Sequence, residues 1–139
     1  LATLDVAGRP WTIAFRPANV VHVGDLWRGD GFPFVDVDAG GSVAGTIAAV
    51  TALVNEIDDR TVVVASRGPL GDRRALREYV AMLQTVRARV LVQVRAGRTE
   101  QQVATSGLAA DFEPRWGRGP VPAEQFLRQL QREVVAAGR

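Results

Sequence analysis

Apolar positions along this chain follow two different periods, and the change of period divides it into a strand-rich beginning and a helix-rich remainder. Short runs of branched apolar residues bounded by Gly and Pro predict strands, whereas apolar positions every three or four residues predict helices. The predicted strands are Leu1–Val6, Trp11–Phe15, Asn19–Gly24 and Thr61–Ala65. The predicted helices are Val43–Ile57, Arg73–Arg95, a short helix from Thr99 to Ser106, and a last helix that begins at Pro122.

Turn and capping residues mark the boundaries of these elements. Gly8-Arg9-Pro10 predicts a turn that joins the first two strands as a hairpin. Thr99 and Gln102 have the spacing of a capping box, and Asp72 is placed to cap the helix that follows it. The predicted loops are 25–42 and 111–120. The order β-β-β-α-β-α-α-α indicates the α/β class, as one domain over residues 1–139.

Composition narrows the chemistry that this domain can perform. The chain has 139 residues, of which 47% are hydrophobic and 23% charged, as in a globular protein with its own core. It has no cysteine, which excludes disulfides, thiolate zinc sites and cysteine nucleophiles. Its single histidine, His22, excludes a self-contained zinc site built mainly from imidazoles. We therefore expect no metal ion and no other cofactor.

The basic character of the chain comes from arginine alone. The net charge is +2, and all 17 basic residues are arginines. The high isoelectric point, about 10.3, therefore reports the absence of lysine rather than a basic surface, and we expect no nucleic-acid partner. No uncharged run is long and apolar enough to span a membrane, so we expect no membrane partner and a cytoplasmic location. The chain begins at Leu1 without methionine, which suggests a processed or excerpted N-terminus.

Several segments, in one order, resemble a known family. NVVHVGDLW, GFPFVDVDAGGSVAGTIAAV, TVVVASRGPLGD followed by RRALREYVAML, and DFEPRWGRGPVPAEQF are similar to the C-terminal half of metallo-β-lactamase-fold hydrolases, in the cyclase-like bacterial branch. The similarity runs from about Asn19 to Val134. It implies half of an αβ/βα sandwich, with a mixed sheet and helices on one face.

The resemblance also implies where zinc ligands are expected in the family. Asp25 matches the bridging aspartate of a Gly-Asp turn, but Arg67 stands where the last histidine of a Gly-His-Gly-Pro turn is expected. The middle histidine is expected near Val6, and the HxHxDH motif has no counterpart. One carboxylate cannot hold a metal that activates water, so we do not expect a self-contained zinc hydrolase.

Asp25 and Arg67 are accordingly the candidate catalytic residues of a metal-free site. They follow two predicted strands, and a guanidinium that replaces a cation is expected to form a bidentate pair with the carboxylate or to bind an anionic ligand. His22 lies three residues before Asp25, on the opposite face of a straight strand, and is expected to be packed or capped. The candidate ligand-binding residues are Trp27, His22, Phe32, Phe34 and Trp116. The alternative for the Trp and Phe residues is that they anchor their loops on the core.

Half a sandwich leaves an apolar sheet face that soluble monomers rarely expose. We expect a homodimer through this face; another chain that carries the histidine-rich half, or Leu1–Phe15 folded back over the face, would also cover it.

Three functions are consistent with these expectations. The first is a metal-free protein, enzyme or pseudoenzyme, that binds or transforms a small anionic or aromatic molecule near Asp25 and Arg67. The second is half of a zinc hydrolase completed by another chain or by residues before Leu1. The third is a non-catalytic structural or regulatory partner.

Overall fold

A computed structural model describes residues 2–6 and 9–138 of the chain, with side chains from Thr12 onward. The strands are β1 (Ala2–Val6), β2 (Arg9–Phe15), β3 (Val20–His22) and β4 (Val62–Val64). The helices are α1 (Val43–Glu56), α2 (Arg73–Arg95), α3 (Glu100–Ala104), α4 (Glu113–Trp116) and α5 (Ala123–Ala137). The predicted strand start at Leu1 and the turn residue Gly8 lie outside the described residues. The chain is an α/β protein, as its sequence predicts.

Local capping signals place the helices where the sequence predicts them. The Thr99 hydroxyl accepts a hydrogen bond from the Gln102 N–H at 3.2 Å, and the Gln102 side chain accepts one from the Thr99 N–H at 2.9 Å, which confirms the capping box. Asp72 caps α2 by accepting a hydrogen bond from the Ala75 N–H at 2.8 Å. The loop predicted over 111–120 is wrong in part, because α4 forms there; Pro114 lies in its first turn, where a missing N–H costs no helical hydrogen bond.

The four strands form one mixed sheet in the order β1-β2-β3-β4. The first two pairs are antiparallel, and β3 pairs with β4 in parallel, with Val21 opposite Val63. The alternative that Leu1–Phe15 folds back over the sheet face is wrong for the described residues. They extend the sheet as β1 and β2, because β3 offers a hydrogen-bonding edge to Ile13–Phe15 of β2.

The two faces of the sheet differ in burial. Ala14, Val21 and Val63 lie side by side across β2, β3 and β4, and all three are buried. On the opposite face, Phe15 and Val62 lie in one row with Val20 between them, and they are 40% and 37% exposed. The period-2 alternation of the strands therefore buries one face of the sheet and leaves the other partly open to solvent in the single chain.

The chain divides into two compact units, which are described separately. The first contains the chain up to Gly29 together with Thr46–Ala81, and so includes the sheet, most of α1 and the first part of α2. Its helices contribute the buried residues Ala49, Val50, Leu53, Val54, Leu76 and Tyr79. The second contains Asp30–Gly45 and the chain from Met82 onward, with α3, α4 and α5.

A carboxylate on the last helix, that of Glu133, caps the start of α1 in the second unit. Glu133, 6% exposed, accepts hydrogen bonds from the N–H groups of Val43 at 2.7 Å and Ala44 at 3.1 Å, at the start of α1. The Arg87 guanidinium lies 3.3 Å from the same carboxylate. Glu133 thus satisfies two of the helix-start donors that have no partner within the helix, and its charge favours that end of the helix dipole.

No helix among the described residues combines the length and the apolar character needed to cross a bilayer.

Candidate functional site

The carboxyl ends of β3 and β4 form one edge of the sheet. Since the two strands are parallel, the chain leaves both at the same side. The pairing continues beyond the strands: the Val23 N–H donates to the Val64 carbonyl at 2.8 Å, and the Ser66 N–H donates to the Gly24 carbonyl at 3.0 Å. The turn after β3 is therefore bound directly to the turn after β4, at the edge where α/β sheets commonly place their sites.

The loop that carries Arg67 is closed by its own backbone. Val63 and Gly71 exchange two hydrogen bonds of 2.9 Å, so the segment between them folds back on β4. Within it Gly68 has φ +96°, in the left-handed region that favours glycine. The loop is thus anchored at Val63 and turned at Gly68, and Arg67 lies immediately before that turn.

Asp25 and Arg67 are both exposed on these joined turns. Within the described part of the chain, neither side chain forms a hydrogen bond or an ion pair. The expected bidentate pair between them is absent. An ion pair between two exposed side chains is worth little against hydration, so each group stays solvated. The edge therefore presents one carboxylate and one guanidinium that are not neutralised by each other.

His22 supports the turn that carries Asp25. Its Nδ1 accepts a hydrogen bond from the Gly24 N–H at 3.1 Å, and the side chain is half-buried. Because Nδ1 is the acceptor, the neutral ring carries its proton on Nε2. Gly24 itself has φ +57°. The expectation of a capped histidine is confirmed by this contact.

Trp27 packs inside the first unit. It is 2% exposed, and its ring lies against Gly29 and Gly71. A Cβ at Gly71 would overlap the ring, and one at Gly29 would lie 3.0 Å from it. Trp27 therefore fills a slot that only glycines leave open, and its contacts anchor the loop after β3.

The other predicted aromatic residues belong to the second unit. Phe32 stacks on Phe126 with ring centroids 4.9 Å apart, and the Phe32 N–H donates to the Trp116 carbonyl at 3.1 Å. Trp116 is 6% exposed and meets Phe112 edge to face at 5.8 Å. Phe32 and Trp116 are thus packed in that core, whereas Phe34 is 68% exposed. Asp25, Arg67, His22 and Trp27 lie in one unit and Phe32, Phe34 and Trp116 in the other.

The donors at the β3–β4 edge do not fit a zinc site. Among the residues that the structure describes, no group of three or more His, Cys, Asp or Glu side chains lies together. The Nδ1 of His22 already accepts from Gly24, which leaves Nε2 as its sole remaining donor atom for a metal. A carboxylate and one imidazole nitrogen fall short of the three protein ligands that catalytic zinc uses, so these residues do not fit a zinc ion by themselves.

Sequence reasoning missed a polar face on α5. Gln125, Arg128, Gln129 and Arg132 recur at helical spacing and line a cavity in the second unit with segment 34–38. The i, i+3, i+4, i+7 spacing of these polar residues was a usable signal, but it equally describes a solvated helix face.

Compared with models of known protein families, with curated proteins and with solved structures, the chain gives no match.

Proposed function

We propose that this chain binds a small organic anion, without a metal ion, at the edge formed by the carboxyl ends of β3 and β4. The observation that carries the proposal is the pair of un-neutralised charges, Arg67 and Asp25, on turns joined by the Ser66–Gly24 hydrogen bond. A guanidinium pairs with carboxylate or phosphate through two parallel hydrogen bonds. Asp25 favours a ligand that carries a hydrogen-bond donor or a positive group as well as the anionic one.

We assign no catalytic step to this edge. The guanidinium of Arg67 offers hydrogen-bond donors and no acceptor, and the Nδ1 of His22 accepts from the Gly24 N–H. This combination supports a pseudoenzyme with the arrangement of the metallo-β-lactamase-like proteins and without their zinc chemistry. The family relation itself is part of the proposal and is supported by the four sequence segments and the mixed sheet.

Isothermal titration with benzoate, in EDTA and at constant ionic strength, tests the binding proposal. We expect saturable binding that weakens about tenfold or more in Arg67→Gln, because the charged hydrogen-bond donor is lost. Arg98→Gln is the matched control, since Arg98 is also exposed and forms no side-chain hydrogen bond or ion pair among the described residues. Equal affinity in wild type and Arg67→Gln would contradict the proposal.

Two probes that differ in charge, an anion and a zwitterion, test the role of Asp25 in binding. Benzoate carries only a negative group, so Asp25→Asn removes a repulsion and tightens its binding. The zwitterion 4-(aminomethyl)benzoate carries an ammonium that Asp25 attracts, so the same variant weakens its binding. If Asp25→Asn changes the two affinities in the same direction, Asp25 is not part of the site.

We further propose that a second copy of the chain covers the exposed sheet face. Phe15 and Val62 lie in one apolar row on it, and a groove of about 270 Å³ beside Phe15 is also lined by Arg16 and Glu56. Both charged side chains are exposed, and neither forms an ion pair within the described residues. In the proposed dimer Arg16 of one copy faces Glu56 of the other, and a two-fold axis repeats this ion pair, so one patch supplies an apolar contact and two reciprocal ion pairs.

Sedimentation velocity over a concentration series tests this assembly. We expect a dimer that Phe15→Asp dissociates, because a buried unpaired carboxylate is costly at an apolar contact. Val92→Asp is the control: Val92 is 61% exposed on α2 and lies outside the sheet. A wild-type chain that sediments as a monomer at about 100 μM, some hundredfold above a Kd of about 1 μM, would contradict the homodimer.

A second candidate function is half of a zinc hydrolase completed by another chain or by preceding residues. The exposed row of Phe15 and Val62 also favours it, because a histidine-bearing half would cover the same face. Zinc analysis of the full gene product decides: about one zinc per chain supports this candidate and contradicts the metal-free proposal. The cytoplasmic location stays a prediction, which fractionation of the native cells tests.

A further inference from the structure

The second unit contains a cavity with opposite charges on its two walls. Its volume is about 260 Å³, close to the lower end of the range of about 300–1,000 Å³ for small-molecule sites. One wall is segment 34–38, which carries Asp36 and Asp38, and the other is the polar face of α5, which carries Arg128 and Arg132. A cavity of this size and polarity suits a small dipolar molecule.

A buried amide on the α5 wall has an unused donor. Gln129 is 8% exposed and lines the cavity. Its Oε1 accepts a hydrogen bond from the Val35 N–H at 2.8 Å, which fixes the orientation of the amide because only oxygen can accept. Its Nε2 is buried and has no hydrogen-bond partner. Buried polar groups are nearly always paired, so this donor calls for an acceptor.

The charged residues of the two walls differ in how far they are neutralised within the unit. Arg128 lies 2.9 Å from Glu124 and 3.5 Å from Glu100, and Arg132 donates two hydrogen bonds of 3.1 Å to Glu100, so both arginines are paired. On the other wall, Asp36 accepts a hydrogen bond from the Ala39 N–H at 3.1 Å, whereas the Asp38 carboxylate forms no hydrogen bond or ion pair among the described residues. Glu100 chiefly, and Asp38 to a smaller extent, raise the pKa of Arg132. The Asp38 charge is therefore available to a ligand.

We propose that this cavity binds a free α-amino acid with an apolar side chain. Its carboxylate accepts from the Gln129 Nε2 and faces the arginines, its ammonium faces Asp38, and its side chain contacts Phe34, which is 68% exposed. This site belongs to the second unit and is independent of the Arg67 site in the first. Loss of one proposal leaves the other standing.

The probe is L-leucine, with isoamylamine and 4-methylvalerate as the ligands that lack its carboxylate and its ammonium. Binding is measured by the side-chain NH₂ signals of Gln129 and the backbone signal of Val35 in ¹H–¹⁵N spectra of the full chain. We expect L-leucine to shift both signals saturably and to bind at least about tenfold more tightly than either fragment, because both charges contribute. Equal affinity of L-leucine and one fragment would overturn the assignment of a zwitterion.

Two variants test the residues separately. Gln129→Glu keeps an acceptor for the Val35 N–H and replaces the Nε2 donor with an oxygen, so L-leucine binding falls by about tenfold or more. Gln131→Glu makes the same change on α5 outside the cavity and retains wild-type affinity. Asp38 is exposed, and Asp38→Asn is expected to weaken the binding of L-leucine without weakening the binding of 4-methylvalerate. Wild-type L-leucine affinity in Asp38→Asn, or in a folded Gln129→Glu, would overturn the proposal.

Discussion

The backbone N–H of Ser66 donates a hydrogen bond of 3.0 Å to the carbonyl oxygen of Gly24. This contact joins the turn that carries Asp25 to the loop that carries Arg67. The His22 imidazole further stabilises the turn that carries Asp25, and the paired backbone of Val63 and Gly71 stabilises the loop that carries Arg67. The candidate site therefore rests on backbone geometry, and its charged side chains remain free to meet a ligand.

The slot for Trp27 gives the first prediction. In Gly71→Ala the added methyl overlaps the Trp27 ring, so we expect a loss of about 1–3 kcal/mol in the free energy of unfolding. In the control Gly138→Ala the new Cβ lies 3.6 Å from its nearest neighbour, and we expect a change within about 0.5 kcal/mol. Urea unfolding measures both. Equal stability of the two variants would show that the Trp27 ring is not held against Gly71.

The capping carboxylate of α5 gives the second prediction. Glu133→Ala leaves the N–H groups of Val43 and Ala44 and the Arg87 guanidinium without their partner, and we expect a loss of about 2–3 kcal/mol. Glu124→Ala removes an exposed ion pair from the same helix and is expected to cost less than about 1 kcal/mol. Thermal or urea unfolding compares the two. A loss in Glu133→Ala no larger than in Glu124→Ala would contradict the capping role.

Asp111 gives a prediction for pH. The hydrogen bond from the Arg89 guanidinium, with distances of 2.7 and 3.0 Å, lowers the pKa of Asp111 below its ordinary value of 3.8. A lowered folded-state pKa stabilises the fold above the unfolded value, and this contribution is lost as the pH falls through the folded value. Asp111→Asn should therefore be less stable than wild type at pH 6, and the difference should shrink as the pH is lowered from 6 to 2.

Urea unfolding at both pH values measures this difference. Glu113→Gln, an exposed change on the neighbouring helix α4, serves as the control for a general effect of removing one acidic group. A gap between wild type and Asp111→Asn that persists unchanged at pH 2 would show that the ion pair with Arg89 is not its cause.

The helices were predictable because the signals that define them are local. The capping box of Thr99 and Gln102 and the cap by Asp72 each involve residues three apart, and both occur as the sequence indicates. The shared edge after β3 and β4 was also predictable, since parallel strands end at one side. Each of these features can be predicted from the neighbouring residues or from the order of the strands.

The contacts that the sequence did not reveal join distant residues. Glu133 and Val43 are 90 positions apart, and Gln129 and Val35 are 94 apart. No local sequence pattern therefore indicates that the Glu133 carboxylate or the Gln129 amide accepts a hydrogen bond from these backbone N–H groups. The pairing of Asp25 with Arg67 was predicted from the resemblance, which puts both at ligand positions, but neither the resemblance nor the strand order encodes the direction of side chains on two exposed turns. Which residues of β3 and β4 face the core could not be read from the sequence, because both strands are short apolar runs whose inward and outward residues are of the same type.

The most direct test of the central claim maps benzoate onto the chain by ¹H–¹⁵N chemical shifts in the presence of EDTA. We expect the largest saturable changes at the backbone N–H groups of Gly24, Asp25, Ser66 and Arg67, and their disappearance in Arg67→Gln but not in Arg98→Gln. Changes that fall elsewhere, or that require added zinc, would contradict a metal-free anion site at the β3–β4 edge.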